Sequence, residues 1–223
     1  MVYCVTRFCL TMKYSFFWVR RGLALIPVLW RIFALREPRI SFLGGGRLSL
    51  DDQYARQARA LARLCVQHGM SIITGGGRGI MQAAALGAQD AGKKKLRSIG
   101  VGLVGVDEGL APVSGGMLVR VDNLIMRKWL MINFSSVHVI FPGGVGTQNE
   151  FTELLALIDM KLLHRLPVVL FGKEYWQPLL DWMRQEGVAH GVVAPEVLNF
   201  FILVDDVEEA YDCIVNKCSL LVP

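Results

Sequence analysis

Apolar residues recur in this chain with two alternating periods. Short, nearly unbroken apolar runs lie at residues 40–43, 71–74, 99–104, 137–141, 167–171 and 200–204, rich in Val, Ile, Leu and Phe. Runs of that length without alternation predict strands buried on both faces. Between them stand longer stretches with helical spacing. In 51–68, Tyr54, Ala58, Leu61, Ala62, Leu64 and Cys65 recur on one face, and Gly69 closes the helix. Further helices are predicted over 80–91, from a cap at Asp122 to Phe134, and over 151–158, 175–186 and 206–217. Residues 105–118 read as a loop, broken by Gly109, Pro112, Gly115 and Gly116, with a further strand over 118–121. Strand–helix alternation of this kind predicts an α/β, Rossmann-like three-layer fold, a parallel sheet flanked by helices. It places one domain over 39–223 behind an arm of residues 1–38.

The arm is both apolar and basic. Its longest uncharged run, Gly22 to Trp30, has nine residues and contains Pro27, far short of the roughly 20 a membrane helix needs. The expectation is an arm or helix packing on the body or on another subunit. An interfacial basic segment touching a membrane is the lesser alternative. A net charge of +5 gathers at Arg20, Arg21, Arg31, Arg36 and Arg39 and again at Lys93, Lys94, Lys95 and Arg97. No aromatic interleaving or RNA-binding signature accompanies these clusters, so no nucleic-acid partner is expected. A mean hydropathy of +0.41 is compatible with a subunit interface. The five cysteines form no CxxC pair and no disulfide-like framework, which suits a reducing cytoplasm and disfavours structural zinc. The four histidines lack metal-ligand spacing, and no serine sits in a G-x-S-x-G elbow.

The chemistry gathers where strands hand over to helices. Gly44-Gly45-Gly46, Gly75-Gly76-Gly77-Arg78-Gly79 and Pro142-Gly143-Gly144-Val145-Gly146 each follow a predicted strand. Glycines admit close backbone approach, and a helix start offers free N–H groups to an anion. In parallel sheets ligands bind at these carboxyl ends. Glu150 departs from a pure phosphate cradle, because a carboxylate repels phosphate. It makes better sense reaching past the phosphate toward a sugar or an incoming water, from the first turn of the following helix. Glu153 lies one turn further along, and Arg127-Lys128 sits about ten residues ahead of the strand at 137.

Three motifs in order resemble one family. Residues 142–150 match the P-G-G-x-G-T-x-x-E signature of the LOG (Lonely Guy) proteins, long labelled possible lysine decarboxylases. Gly75-Gly76-Gly77-Arg78-Gly79-Ile80-Met81 resembles their G-G-G-P-G-x-M element, and Met126-Arg127-Lys128 their M-x-x-R-K-like element. The similarity runs over 40–214 and looks more like the longer bacterial branch than the plant enzymes.

The resemblance implies a nucleoside 5′-monophosphate phosphoribohydrolase acting on AMP or an N6-modified, cytokinin-like AMP. Arg127 and Glu150 would be its catalytic pair. Gly75, Gly76, Gly77, Gly79, Met126, Lys128, Gly143, Gly144, Gly146, Thr147 and Glu153 would bind substrate and phosphate. It implies no cofactor or metal, no pyridoxal phosphate in particular, and a homodimer or higher homo-oligomer. Two departures stand out. Arg78 replaces the usual proline, and the Leu43-to-Arg47 loop lacks the usual serine. The segment 107–116 is expected to overhang the base pocket. The alternative is a non-catalytic nucleotide or molybdenum-cofactor carrier of the same fold. A third reading makes the basic arm the working part of a nucleotide-responsive interaction protein.

Overall fold

The computed structural model describes residues 22–23, 25–93, 95–106, 116–163 and 168–219. The segment expected over the base pocket, most of the arm, Lys94 and His164 therefore lie outside the described residues. The chain divides between Ala34 and Leu35 into two compact units. In the first, residues 25–33 are helical. No described helix is long and apolar enough to cross a membrane.

In the second unit, seven strands form one parallel sheet: β1 (Arg39–Leu43), β2 (Ser71–Thr74), β3 (Ser98–Leu103), β4 (Gly116–Val121), β5 (Val137–Ile140), β6 (Val168–Phe171) and β7 (Phe201–Val204). Their spatial order is β4-β3-β2-β1-β5-β6-β7. The chain thus winds outward from β1 to β4, returns to the far side of β1, and winds outward again. That reversal makes a crevice between β1 and β5, where ligands bind in sheets of this kind. β1, β2, β5 and β6 are buried at every position, which is why they read as nearly unbroken apolar runs.

Helices α1 (Gln53–Gln67) and α2 (Ile80–Asp90) cover one face with α7 (Val207–Ser219). There Phe42, Val139, Phe141 and Phe171 meet Ala58, Leu61, Ile80, Ala210 and Ile214 in a single core. α4 (Val145–Asp159) and α5 (Lys173–Trp182) cover the other face, where the Phe151 ring packs at a tilt against Trp176 and Phe201. α3 (Leu124–Asn133) is capped by Asn123, whose Oδ1 accepts from the Ile125 and Met126 amides. The predicted cap, Asp122, lies one residue earlier. The end of the helix predicted over 175–186 is a π-helical turn at Met183–Val188, and the short α6 (Pro195–Leu198) escaped the pattern.

One buried pair faces away from that aromatic core. Ser41 Oγ lies 2.6 Å from Nδ1 of His138 on the neighbouring strand, both side chains fully buried. Burial lowers the His138 imidazole to about 4, and its Nε2 has no partner among the described residues.

Candidate functional site

All three glycine loops emerge at one edge of the sheet, beside the β1–β5 crevice, and their backbones tie them together. The Gly45 amide donates to the Pro142 carbonyl at 3.0 Å, and the Gly45 carbonyl accepts from the Ile80 amide at 3.2 Å. Gly79 makes the closest of these approaches. Its φ of +62° favours glycine, and a Cβ there would stand 2.1 Å from the Gly45 oxygen.

The same test sorts the predicted ligand glycines into two kinds. A Cβ on Gly143 would meet Thr147 Oγ1 at 2.2 Å, and one on Gly75 would meet Arg127 Nη2 at 2.1 Å. A Cβ on Gly76 would meet Leu118 Cδ1 at 2.6 Å. These glycines hold the site's walls together. Gly144 and Gly146, in contrast, face open space and are exposed, and Val145 between them is 87% exposed. Gly77 is half-buried in the same rim. The serine missing from the first loop would stand at Gly45, where a Cβ would press on the Pro142 oxygen at 3.1 Å and Gly143 Cα at 3.3 Å. Arg78 is exposed at the tip of the second loop.

α4 begins at Val145 with Gly144 as its N-cap, and no side chain caps it. The predicted start at 151 followed the apolar periodicity, which residues 145–149 do not show. Glu150 is thus the sixth helical residue rather than a first-turn residue. The open N–H groups at the start of α4 carry the positive end of the helix dipole. Glu150 lies about 6 Å beyond Gly146 along the axis. Anion site and carboxylate are therefore separated, which leaves room for a sugar between them. Thr147 is buried, its hydroxyl turned toward Gly143, so its main chain is what faces the cradle.

α3 brings Met126, Arg127 and Lys128, all partly buried, to the same edge. Arg127 Nε donates to the Val101 carbonyl at 3.0 Å and Nη2 to the Gly75 carbonyl at 2.9 Å. Met81 Sδ lies 3.7 Å from the same Nη2. The guanidinium is thus clamped by main chain of β3 and of the loop after β2, while Nη1 has no acceptor among the described residues. Lys128 Nζ stands 2.5 Å from Glu153 Oε2 and donates to Asn149 Oδ1 at 2.9 Å.

Neither oxygen of Glu150 has a hydrogen-bond or ion-pair partner among the described residues. Burial pushes its carboxyl up to about 7; Arg127 and Lys128 oppose that rise, and Glu153 adds to it. An unpaired carboxyl near 7, about a turn of helix beyond an open anion cradle, is suited to exchange a proton or to meet developing positive charge. Among the described residues no cluster of His, Cys, Asp or Glu could hold a metal ion.

Sequence reasoning missed one support. Tyr175 Oη donates to the Gly143 carbonyl at 2.6 Å and accepts from Gln148 Nε2 at 3.0 Å, so α5 braces the third loop from below. The tyrosine lies 32 residues from Gly143, and no local pattern links them. Tyr175→Phe removes both hydrogen bonds, costing on the order of 1 kcal/mol. The expected result is a several-fold weaker nucleotide Kd by calorimetry with an unchanged far-UV spectrum; an unchanged Kd would show that the loop holds its shape without this brace.

A protein-family model described as "Possible lysine decarboxylase" matches residues 81–214, more than half of the chain. The cytokinin riboside 5′-monophosphate phosphoribohydrolase of Rhodococcoides fascians is 29% identical over 71% of this chain and 79% of its own length. The Arabidopsis thaliana enzyme of the same name, LOG5, is 26% identical over 78% of this chain and 75% of its own. Among solved structures, the molybdenum cofactor carrier protein of Chlamydomonas reinhardtii superimposes with a TM-score of 0.58 at 22% identity. It covers 82% of this chain and 99% of its own. At that identity the likeness speaks for the fold alone. With the family match, the named relatives and three motifs assembled at one sheet edge, the chain belongs to the LOG family of phosphoribohydrolases, not to the true lysine decarboxylases that its family model's description suggests.

Proposed function

We propose that this chain hydrolyses the N-glycosidic bond of a nucleoside 5′-monophosphate with a purine or cytokinin-type base, releasing free base and ribose 5-phosphate. The observation that carries this reading is Glu150, a half-buried carboxyl without a partner among the described residues, set one helical turn beyond an uncapped, open helix start. The 5′-phosphate sits on the amides around Gly144, Val145 and Gly146. The ribose then lies along α4 toward Glu150. As the bond from C1′ to the base nitrogen breaks, its electron pair leaves with the base and positive charge grows on the sugar. The Glu150 carboxylate stabilises that charge and orients a water. The water oxygen bonds to C1′, and a proton passes to the base. Arg127 positions the ligand through its open Nη1 or meets charge on the departing base.

A homo-oligomer is part of the same proposal. α3, which carries Arg127, leaves Leu124, Ile125 and Trp129 exposed, an apolar face suited to a second copy of the chain. The carrier alternative explains the fold but gives an unpaired carboxyl beside the cradle no task.

The test is release of free base from AMP, GMP, IMP, CMP, UMP and isopentenyl-AMP, followed by chromatography, beside calorimetric binding of the same nucleotides. Base release from AMP or its N6-modified form is expected. Binding without release from any of the six would overturn hydrolysis in favour of a carrier.

A further inference from the structure

We propose that the Lys128–Glu153 ion pair is a tuning device for Glu150, setting the charge that this carboxyl meets before substrate arrives. The proposal rests on Glu150 being the working carboxyl of the reaction above. It assigns a different task to two residues whose family resemblance implies substrate binding.

The geometry of Lys128 carries the argument. It reaches from α3 to two residues of α4 that bracket Glu150: Asn149 immediately before it and Glu153 one turn after it. Residues three apart share a helix face, so Glu153 and Glu150 lie on the side that Lys128 approaches. Lys128 is only 14% exposed and Glu153 30%, so water screens the pair less than it would a surface pair. With Lys128 committed to Glu153 and Asn149, little of its capacity remains for a phosphate. The charged groups acting on Glu150 are Arg127 and Lys128 from α3 and Glu153 from α4. Arg127 is fixed by main-chain carbonyls. The adjustable part of the field is therefore the pair, whose two members act on Glu150 with opposite sign. Lys128 favours the ionised form of Glu150 and Glu153 the protonated form, so the two oppose one another while burial outweighs either.

Opposite signs make the test decisive. The Glu150 carboxyl is followed by 13C NMR through a pH titration of the ligand-free protein, its signal identified by its loss in Glu150→Gln. Lys128→Met is expected to raise the midpoint by about one unit, because Glu153 is left unpaired beside it. Glu153→Gln, nearly isosteric, is expected to lower it by a similar amount by freeing the Lys128 charge, and Lys128→Arg to restore it. The acid limb of kcat/KM should move in the same directions. Midpoints that stay within about 0.3 unit of the unmodified chain, or that both move the same way, would overturn the proposal. Should Lys128→Met not fold, the downward shift in Glu153→Gln decides alone. The titration does not depend on turnover. Split midpoints in a protein that releases no base would leave the tuning intact and remove the hydrolase reading instead.

Discussion

Glu150→Gln is expected to lower kcat for base release by on the order of 10²–10³ while leaving nucleotide binding intact or slightly tighter. The amide has the shape of the carboxyl but carries no charge to offset the cation that grows on the ribose. It also cannot take a proton from water. Binding behaves differently, because the phosphate rests on amides about a turn of helix away, and removing a carboxylate from a phosphate's neighbourhood relieves repulsion. The effect should therefore fall on kcat, the signature of an interaction that matters in the transition state more than in the ground state. The pH profile supplies a second readout. Glu150 works ionised, and burial holds it near 7, so kcat/KM should rise with pH through neutrality and level off above it. In Glu150→Gln the residual rate should lose that limb. A variant within tenfold of the parent, with the limb still present, would mean that another group does this work.

How far such a site could be read from sequence depended on whether the signal was local. Strands buried on both faces left nearly unbroken apolar runs, so β1, β2 and β5 were legible, as were the loops that follow them and the parallel sheet, though not its strand order. The start of α4 was not, because Gly144 to Asn149 carry no apolar period and a glycine cap has no side-chain signature. That moved Glu150 from the first to the second helical turn and separated it from the anion site. The motif glycines looked equivalent in sequence, but the fold gives them different tasks: Gly75, Gly79 and Gly143 let the loops pack, and Gly144 and Gly146 face open space. Contacts made across the sheet left no trace in the string. Tyr175 beneath Gly143, and Lys128 against Glu153, exist only because α5 and α3 return to the same edge. Ser41 and His138 are likewise 97 residues apart and meet because β1 and β5 are neighbours at the switch point.

That buried histidine and Glu150 lead to the second large effect, an opposed pair of pH dependences in stability. The unfolded chain protonates His138 below about 6.5, whereas the folded chain does so only below about 4. Between those values unfolding takes up a proton, so stability rises with pH across that window and is lost as pH falls through it. Glu150 runs the other way. Unfolded, it ionises near 4.5; folded, it keeps its proton to about 7. Unfolding there releases a proton, so stability falls as pH rises from 4.5 to 7. Each shift corresponds to about 3 kcal/mol over its full window. Where the windows overlap the two slopes cancel, and urea unfolding of the parent chain should show little contribution from either. Removing one group should uncover the other. Glu150→Gln should gain stability steadily from pH 4 to 6.5 and end about 3 kcal/mol more stable than the parent above pH 7, as expected when a working carboxyl is held against its solvation preference. His138→Gln should show the reverse, with stability falling from pH 4.5 to 7, whatever constant penalty the lost Ser41 contact adds. Parallel pH curves for the parent and both variants would mean that water reaches these groups in the folded protein, and that neither burial carries the cost assigned to it.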